Sequence, residues 1–412
     1  MFQKNIFNRF SGRDDISMRL KQVTLPRNRG LTAVTGPIFV LPLSDNGSGA
    51  VNTTSTLNGG SATATVTRAT AATCWSSAGL LLTVGTGVAR SNYTELTGAQ
   101  YLGYWTEEAR TNTCLFGRDF TNAAWVKTTC TPALDQVGID GVANTASSLL
   151  ATAGNATVKQ TLALAAINRP FSVYIKRLVG TGNIDLAQDG ATFTNQTIAN
   201  DGLWHRCTLV ASQLNPVLSI RIVTNADKIA VDYAGLEDNS GGAAAWPSTP
   251  ILTTTVAVTR NQDNLTYPSA GNASVTAGTM FCRTMTVSTT PNLCVMMGIN
   301  DGTASNRALL IGAVGYGANG VVTSGGAGQA NVSVGVGAVG VLENNAMTWG
   351  TNNSNTFFNG TPGVQDVTVT VPASFTTIEI GNQFISNPLN GGIQNVRIWN
   401  SVLTDAQILA QV

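Results

Sequence analysis

Two neighbouring carboxylates, Glu107 and Glu108, are the first residues of this 412-residue chain whose type could do chemistry. Cleavage of a glycosidic bond needs two carboxyl groups about 5 to 10 Å apart on either side of the bond. On a strand, adjacent side chains point to opposite faces, which disfavours Glu107 and Glu108 as that pair. We interpret them as structural, with Arg110 as a partner. Glu343 and Asp366 are further acidic candidates, and nothing in the sequence brings them together.

Other residues with chemical potential have simpler interpretations. The single histidine, His205, lies on a predicted strand in a chain without a Gly-x-Ser-x-Gly elbow, so we expect a half-buried strand residue. Asn300 and Asp301 precede a glycine and are weak calcium candidates, because Asn-Asp-Gly is first of all a turn sequence. The six cysteines show no C-x-x-C pair, which predicts free and mostly buried thiols and no zinc site. No catalytic residue, metal or cofactor is predicted.

Aromatic side chains are the candidates for ligand binding. Sugars lay their C–H faces on exposed aromatic rings, and their hydroxyls need directional polar partners. Four aromatic residues in turn-rich contexts are the glycan-binding candidates: Trp105, Trp246, Tyr316 and Trp349. Three others lie in strand patterns and are predicted to be core residues: Trp125, Trp204 and Trp399. Burial at a subunit contact is the alternative for the first group, since aromatics also anchor interfaces.

The elements that must position these residues are predicted to be strands. Charged residues make up 11% of the chain against a usual figure of about 25%. The abundance of Val and Thr favours pleated sheets, and the abundance of Gly favours the tight turns that join them. The net charge of +1 gives no overall case for a nucleic-acid or acidic-membrane partner. Residues 308–342 are uncharged, but their glycines and alternating valines predict strands and turns rather than membrane insertion.

Residues 105–128 combine the sequence Trp-Thr-Glu-Glu-Ala-Arg-Thr-Asn with a later Phe-Thr-Asn-Ala-Ala-Trp. This stretch resembles the opening of a carbohydrate-binding-module-like β-sandwich in tailed-phage virion proteins, where an EEARTN turn precedes an F-x-N-A-x-W strand. The sequence Thr-Arg-Ala-Thr-Ala-Ala-Thr at 67–73 resembles the lead-in to that turn. The resemblance implies a protein of the virus particle and does not name a ligand.

Further signatures follow in the order of the same family. Residues 169–176 alternate apolar and polar positions, as a strand with one buried face does. Residues 201–209 resemble its G-x-W-x-R turn and strand. The Leu-Glu pair at 236–237 resembles its G-x-Q-L-E strand without the usual Gln, and 258–260 resembles its V-T-R exit. Residues 113–270 are therefore predicted to form the sandwich.

Residues 271–412 are predicted to form a second sandwich, because apolar runs recur between Asn and Gly turns at suitable spacing. The predicted strands are 280–287, 293–299, 308–314, 332–342, 356–358 and 376–380. Asn359 and Gly360 predict a tight turn.

The carboxyl terminus resembles the last strand and terminal helix of concanavalin-like, laminin-G-like jelly rolls, over residues 391–400 and 403–408. Thr404 and Gln407 have the spacing of a capping box, and Asp405 places negative charge in the first turn. We expect a short helix that plugs one end of the sandwich.

Residues 1–40 are predicted to be a basic arm that anchors the protein to the virion. Its apolar residues recur at roughly helical spacing, and Pro26 would end such a helix. The anchoring candidates are Phe2, Phe7, Arg9, Phe10, Arg13, Arg19 and Lys21. Such a segment buries its apolar stripe by meeting a partner, here another virion protein. Packing on its own domain and a nucleic-acid tail are the alternatives.

The predicted fold is all-β, with two β-sandwich (jelly-roll) domains in tandem, an amino-terminal arm and a short carboxyl-terminal helix. The predicted domains are 1–40, a small β-rich lead-in at 41–112, and the sandwiches at 113–270 and 271–412. The resemblance implies a non-enzymatic virion protein, assembled in the host cytoplasm, that serves as a tail fibre or head decoration. It also implies a homotrimer and a possible host-surface glycan ligand. A polysaccharide depolymerase and a purely architectural cement protein are the alternatives.

Overall fold

The structure is a computed structural model that describes residues 36–54, 63–239, 244–287, 293–313, 316–384 and 386–412. Within it, Pro37–Val412 forms one compact unit. All the anchoring candidates lie outside the described residues: Phe2, Phe7, Arg9, Phe10, Arg13, Arg19 and Lys21. The anchoring arm therefore stays a prediction.

The described residues contain strands almost throughout and one short helix. The first strands are β1 (Phe39–Leu41), β2 (Thr65–Val66), β3 (Ala72–Trp75), β4 (Leu81–Val84), β5 (Ser91–Tyr93), β6 (Tyr101–Thr106) and β7 (Arg110–Asn112). The next are β8 (Val126–Thr128), β9 (Cys130–Gln136), β10 (Ala146–Ala151), β11 (Ala156–Thr161), β12 (Ile167–Val179), β13 (Ile184–Ala187), β14 (Thr194–Gln196), β15 (His205–Gln213), β16 (Val217–Ile222), β17 (Lys228–Asn239), β18 (Val258–Arg260) and β19 (Leu265–Pro268). The last elements are β20 (Ala277–Thr286), β21 (Leu293–Asn300), β22 (Arg307–Ala313), β23 (Tyr316–Ser324), β24 (Ala327–Val334), β25 (Glu343–Gly350), β26 (Asn353–Phe358), β27 (Thr361–Pro362), β28 (Thr377–Ile380), β29 (Gly391–Trp399) and α1 (Asp405–Leu409).

Two sheets form the carboxyl-terminal sandwich. One has the strand order β27-β26-β25-β20-β29-β6-β5, with β1 also paired to β29. The other has the order β2-β19-β28-β21-β22-β23-β24. Alternate residues point inward from each sheet, so Met280 and Cys282 of β20 share a core with Ile378 and Ile380 of β28.

Two further sheets form the amino-terminal sandwich. Their strand orders are β15-β12-β17-β10-β9, with β7 paired to β17 and to β18, and β14-β13-β16-β11-β8. Phe171, Val173 and Ile175 of β12 share its core with Leu218 and Ile220 of β16. The predicted all-β fold with two sandwiches is confirmed.

Strand β12 is buried on both faces, although its alternation of apolar and polar residues predicts only one buried face. Tyr174 points away from the sandwich core and packs with Trp75 and Leu81. These residues belong to the β3–β4 hairpin, which forms a separate two-stranded sheet. The outer face of β12 is therefore covered by a distant part of the chain.

The strands of residues 41–112 are divided between the two sandwiches. Strands β5 and β6 extend one sheet of the carboxyl-terminal sandwich and β2 extends the other, whereas β7 pairs with β17 of the amino-terminal sandwich. The chain passes from one sandwich to the other between β6 and β7. The predicted domain boundaries themselves stay predictions.

The carboxyl-terminal helix has the predicted capping box. The Thr404 side chain accepts from the backbone N–H of Gln407, and the Gln407 side chain accepts from the backbone N–H of Thr404. Its position differs from the prediction, because Ile408 packs with Phe281 and Trp399. Phe281 lies on the face of β20 opposite its core residues, so α1 covers the outside of the sheet and does not plug one end.

Two local predictions can be compared with backbone geometry. Asn359 (φ 48°) and Gly360 (φ 82°) form the predicted tight turn between β26 and β27. The strand predicted at 332–342 ends at Val334, because Gly335 adopts a φ of 73° that interrupts extended structure. No helix in the described part of the chain is long and apolar enough to cross a membrane.

The cysteines behave as predicted. All six are free, and five are buried while Cys130 is partly buried. Burial raises the pKa of Cys74 to about 11 and that of Cys207 to about 12, which keeps these thiols protonated near neutral pH.

A β-bulge in β6 sets which of its side chains face outward. Tyr101 pairs with Tyr93 and Gly103 with Asn92, so Leu102 is the extra residue. Gly103 has a φ of 95°, and a Cβ there would lie 2.0 Å from the carbonyl oxygen of Ile393. The bulge lets Leu102 and Trp105 share the outer face of the sheet.

We expect Gly103→Ala to lower the free energy of unfolding by at least about 2 kcal/mol, because both the backbone conformation and the close contact exclude a Cβ. Urea titration monitored by tryptophan fluorescence measures the change. Gly328→Ala is the matched control, since nothing lies within 4 Å of its added Cβ, and its effect should stay below about 0.5 kcal/mol. Equal stability of the two variants would contradict the role given to the bulge.

Candidate functional site

A buried ionic network lies where the two sandwiches meet, with Glu107 at its centre. Glu107 follows the last residue of β6, and its Oε2 lies 2.9 Å from Arg90 Nη2 and 2.8 Å from Arg260 Nη1. Thr249 donates to the same carboxylate from its backbone N–H (2.8 Å) and its hydroxyl (2.7 Å). The carboxylate is thus fully occupied by protein donors.

Asp263 joins two arginines on the other side of the network. Its Oδ1 lies 2.6 Å from Arg68 Nη1, and its Oδ2 accepts from Arg90. Arg68 also donates to the carbonyl oxygens of Thr70 (2.9 Å) and Gly85 (2.6 Å). Every charged side chain of these pairs is at most 1% exposed.

The network sets the ionisation of its members. Burial by itself opposes the charged form of Glu107, but attraction to Arg260 and Arg90 and hydrogen bonds from Thr249 outweigh it and lower its pKa. Burial also opposes the charge of Arg90, and Asp263 and Glu107 more than compensate, so the pKa of Arg90 is raised. Glu107 is therefore a carboxylate that does not give up its charge, which is unlike a general acid.

Glu108 points to a second, less buried cluster. Arg110 Nη2 lies 2.6 Å from Glu108 Oε1, which confirms Arg110 as a partner of one glutamate. The Arg110 guanidinium also lies over the Trp246 ring at 4.5 Å from its centroid and donates to the Trp246 carbonyl oxygen at 3.2 Å. The two adjacent glutamates thus hold different partners.

Residues from several of the recurring sequence stretches meet at this junction. Arg68 comes from the lead-in at 67–73, Glu107 from the EEARTN turn and Arg260 from the V-T-R exit. Glu237, from the Leu-Glu pair, accepts from the Ser248 backbone N–H (2.9 Å) and hydroxyl (2.7 Å). Segments that are far apart in the chain therefore share one structural role.

A cavity of about 440 Å³ opens beside the network, between the sandwiches. Its volume lies in the range of about 300 to 1,000 Å³ that is typical of small-ligand sites. Three tryptophans, Trp75, Trp105 and Trp246, contribute to its lining. Aromatic and polar lining residues together give the combination that sugar recognition requires.

The polar wall of the cavity comes from the amino-terminal sandwich and the loop after β5. Glu95 accepts a hydrogen bond from Tyr174 Oη of β12, and its other oxygen lies 3.5 Å from Arg206 Nη1 of β15. Arg206 is held by the Ser248 carbonyl oxygen at 2.6 Å. These contacts fix a carboxylate and a guanidinium side by side at the cavity.

The four glycan-binding candidates fall in different places. Trp105, although only 5% exposed, and the half-buried Trp246 both line the cavity. The expected exposure of Trp349 is wrong, because its ring is 0% exposed and its Nε1 donates to the Ser274 carbonyl oxygen at 3.0 Å. Tyr316 begins β23, and its side chain lies outside the described residues.

The predicted core tryptophans behave nearly as expected. Trp125 and Trp399 are buried. Trp204 is only half-buried, and the Lys176 ammonium lies 4.8 Å from its ring centroid. It precedes β15, so the sheet covers it less completely.

The remaining chemical candidates stay apart from the cavity. His205 is half-buried as predicted, with Asp201 Oδ1 3.0 Å from its Nε2. Asn300 Oδ1 accepts from the Gly302 N–H and Asp301 Oδ1 from the Thr303 N–H, each at 2.9 Å, as in a turn. Among the described residues no three His, Cys, Asp or Glu side chains are grouped to hold a metal.

Glu343 and Asp366 are too far apart to act on one bond. Asp366 bridges to Ser354, which pairs with Trp349. Trp349 and Glu343 are six positions apart on β25 (349 − 343), a separation of about 20 Å along a strand. The structure does not make them a hydrolytic pair.

Sequence reasoning missed Trp75, Glu95, Arg206 and Asp263. Trp75 comes two residues after the 67–73 stretch, and Glu95 follows small, polar residues without a motif. Arg206 lies in the G-x-W-x-R stretch, and Asp263 comes three residues after Arg260. The arginine of that stretch was the available signal. A charged residue on a predicted strand, in a chain with few charged residues, needs a partner.

No protein-family model and no curated protein matches the chain. Among solved structures it is similar to the CBM40 module of Ruminococcus gnavus IT-sialidase bound to α2,3-sialyllactose, with 15% identity and a TM-score of 0.30 over 34% of this chain and 83% of that one. It is similar to mouse laminin α1 domains LG4-5, with 12% identity and a TM-score of 0.26 over 61% of this chain and 89% of that one. It is also similar to Trypanosoma rangeli sialidase, with 12% identity and a TM-score of 0.30 over 35% of this chain and 25% of that one. Likeness of this degree establishes neither a family nor a ligand.

We expect Glu107→Gln to lower the free energy of unfolding by about 3 to 5 kcal/mol, because it leaves buried arginine charge uncompensated. The folded pKa of Glu107 lies below its ordinary value of 4.5, so its contribution is present above that pH and declines as the pH falls further. The stability gap between wild type and variant should therefore narrow below pH 4.5. Chemical denaturation at several pH values measures it.

Asp135→Asn is the control for that prediction. Asp135 lies 3.6 Å from Lys228 in a pair whose side chains are 41% and 31% exposed. Loss of this exposed ion pair should lower the free energy of unfolding by less than about 1 kcal/mol. An equal decrease in the free energy of unfolding of both variants would show that the junction network stabilises the protein no more than an exposed ion pair.

Proposed function

We propose that this protein is a non-enzymatic structural protein of a tailed-phage virion, and that the cavity between its sandwiches binds a host-surface glycan. The observation that carries the binding proposal is the cavity lined by Trp75, Trp105 and Trp246 beside the Glu95 and Arg206 side chains. Aromatic faces suit sugar C–H groups, and the charged pair suits hydroxyls.

The virion part of the proposal rests on the ordered sequence signatures. Their meeting at one junction supports treating them as marks of a single structural unit rather than separate coincidences. In the same proposal the part of the predicted arm that precedes β1 attaches the protein to a capsid or tail protein, and the assembly is a homotrimer.

The ionisation of Glu107 supports a binding role over hydrolysis. A glycosidase needs one carboxyl group with a raised pKa to protonate the leaving oxygen. Glu107 lines the cavity but has a lowered pKa and is occupied by Arg90 and Arg260. We therefore propose retention of the glycan without cleavage.

Trp246→Ala should weaken glycan binding by at least about tenfold, because it removes a stacking face worth about 1.5 kcal/mol or more. A glycan array followed by calorimetry on the retained sugar measures this. Phe193→Ala is the matched control, since Phe193 also lies under an arginine, with Arg221 4.0 Å from its ring centroid, but does not line the cavity. Release of shorter sugars during the assay would instead favour the depolymerase.

Deletion of residues 1–30 should prevent incorporation of the protein into particles, because the proposed attachment lies in the arm. Mass spectrometry of purified particles measures the copy number. The Trp246→Ala protein is the control and should be incorporated normally. Full incorporation of the truncated protein would rule out anchoring by this segment.

A further inference from the structure

The cavity has two chemically unlike walls, and their combination narrows the ligand. This inference rests on the proposed glycan-binding function. The carboxyl-terminal sandwich contributes an apolar wall, and the charged pair joins Glu95 of the loop after β5 to Arg206 of the amino-terminal sandwich.

The apolar wall is a continuous cluster of side chains. Leu102, Trp105 and Met285 pack together, with Val287 against them. All four residues line the cavity. Hydroxyl groups pressed against such a wall would lose their hydrogen bonds to water without replacement, whereas a methyl group would gain from burial.

The opposite wall offers one acceptor and one donor next to each other. The Glu95 and Arg206 side chains are 35% and 15% exposed, and their closest atoms are 3.5 Å apart. That separation is at the outer limit of a hydrogen bond, so both groups retain capacity for a ligand. The charges of Glu95 and Arg206 also cancel, so the pair does not attract anions or cations in general.

We propose that the cavity selects a 2-acetamido sugar. The amide N–H donates to the Glu95 carboxylate, and the ring hydroxyl next to the acetamido group accepts from the Arg206 guanidinium. The acetyl methyl group packs against Leu102 and Met285, and the sugar ring lies against the half-buried Trp246 ring. An amide with a terminal methyl group is complementary to both walls at once.

Other common sugars satisfy only part of this arrangement. A plain hexose has no apolar substituent for the Leu102 and Met285 wall. A 6-deoxyhexose has a methyl group but no amide N–H beside it for Glu95. An acidic sugar would place its carboxylate near Glu95, where like charges repel.

Matched sugars test the proposal on the full-length protein. Calorimetry compares the affinities of β-1,4-linked tetramers of N-acetylglucosamine, glucosamine and glucose. A second calorimetric comparison sets N-acetylgalactosamine against galactose. The acetylated member of each set should bind at least about tenfold more tightly, from methyl burial and the added charged hydrogen bonds.

The outcomes separate this inference from the proposed function. Equal affinity for acetylated and unacetylated sugars overturns the acetamido preference while leaving glycan binding intact. Stronger binding of the glucosamine tetramer overturns it as well, since it would assign Glu95 to an amine. Failure to bind any sugar on a broad array overturns the proposed function and this inference with it.

Glu95→Gln provides a second readout that keeps side-chain size. It should reduce the preference for the acetylated tetramer by about fivefold, because a neutral acceptor replaces a charged one. Asp135→Asn makes the same chemical change away from the cavity and should leave the preference unchanged. An unaltered preference in a folded Glu95→Gln protein contradicts the assigned contact.

Discussion

Ion pairing in a buried junction is the constraint on which the arrangement of the two sandwiches depends. Removing an ion from water costs several kcal/mol unless partners surround it. Arg68 and Arg90 meet that requirement through Glu107 and Asp263, and Arg260 shares Glu107 while burial lowers its pKa; all five side chains are almost completely buried. Since these residues come from segments before, within and after the amino-terminal sandwich, neither sandwich can move away without leaving charge unpaired.

The same network shapes the cavity. Glu107 forms part of the lining with its charge already neutralised, which leaves Glu95 and Arg206 as the less buried charged pair. Trp246 is held by the Arg110 guanidinium over its ring. Rigidity at the junction therefore prepares a binding surface, because preorganised side chains lose less entropy when a ligand binds.

Local patterns predicted the elements well where burial follows from nearby residues. Alternation identified β12 and most carboxyl-terminal strands, and the Thr404 capping box identified α1. The same patterns did not show that a distant hairpin covers β12, that α1 lies across a sheet, or that Trp349 is enclosed. Alternation reports which residues share a face but not what lies against that face.

The sequence by itself determined an all-β chain, its tight turns and its capped helix. These follow from backbone geometry and side-chain periodicity over a few residues. Only the tertiary structure decided that Arg68 pairs with Asp263 across 195 positions, and that Glu95 meets Arg206 beside an apolar wall. Such pairs depend on how whole sheets pack, which no local pattern encodes.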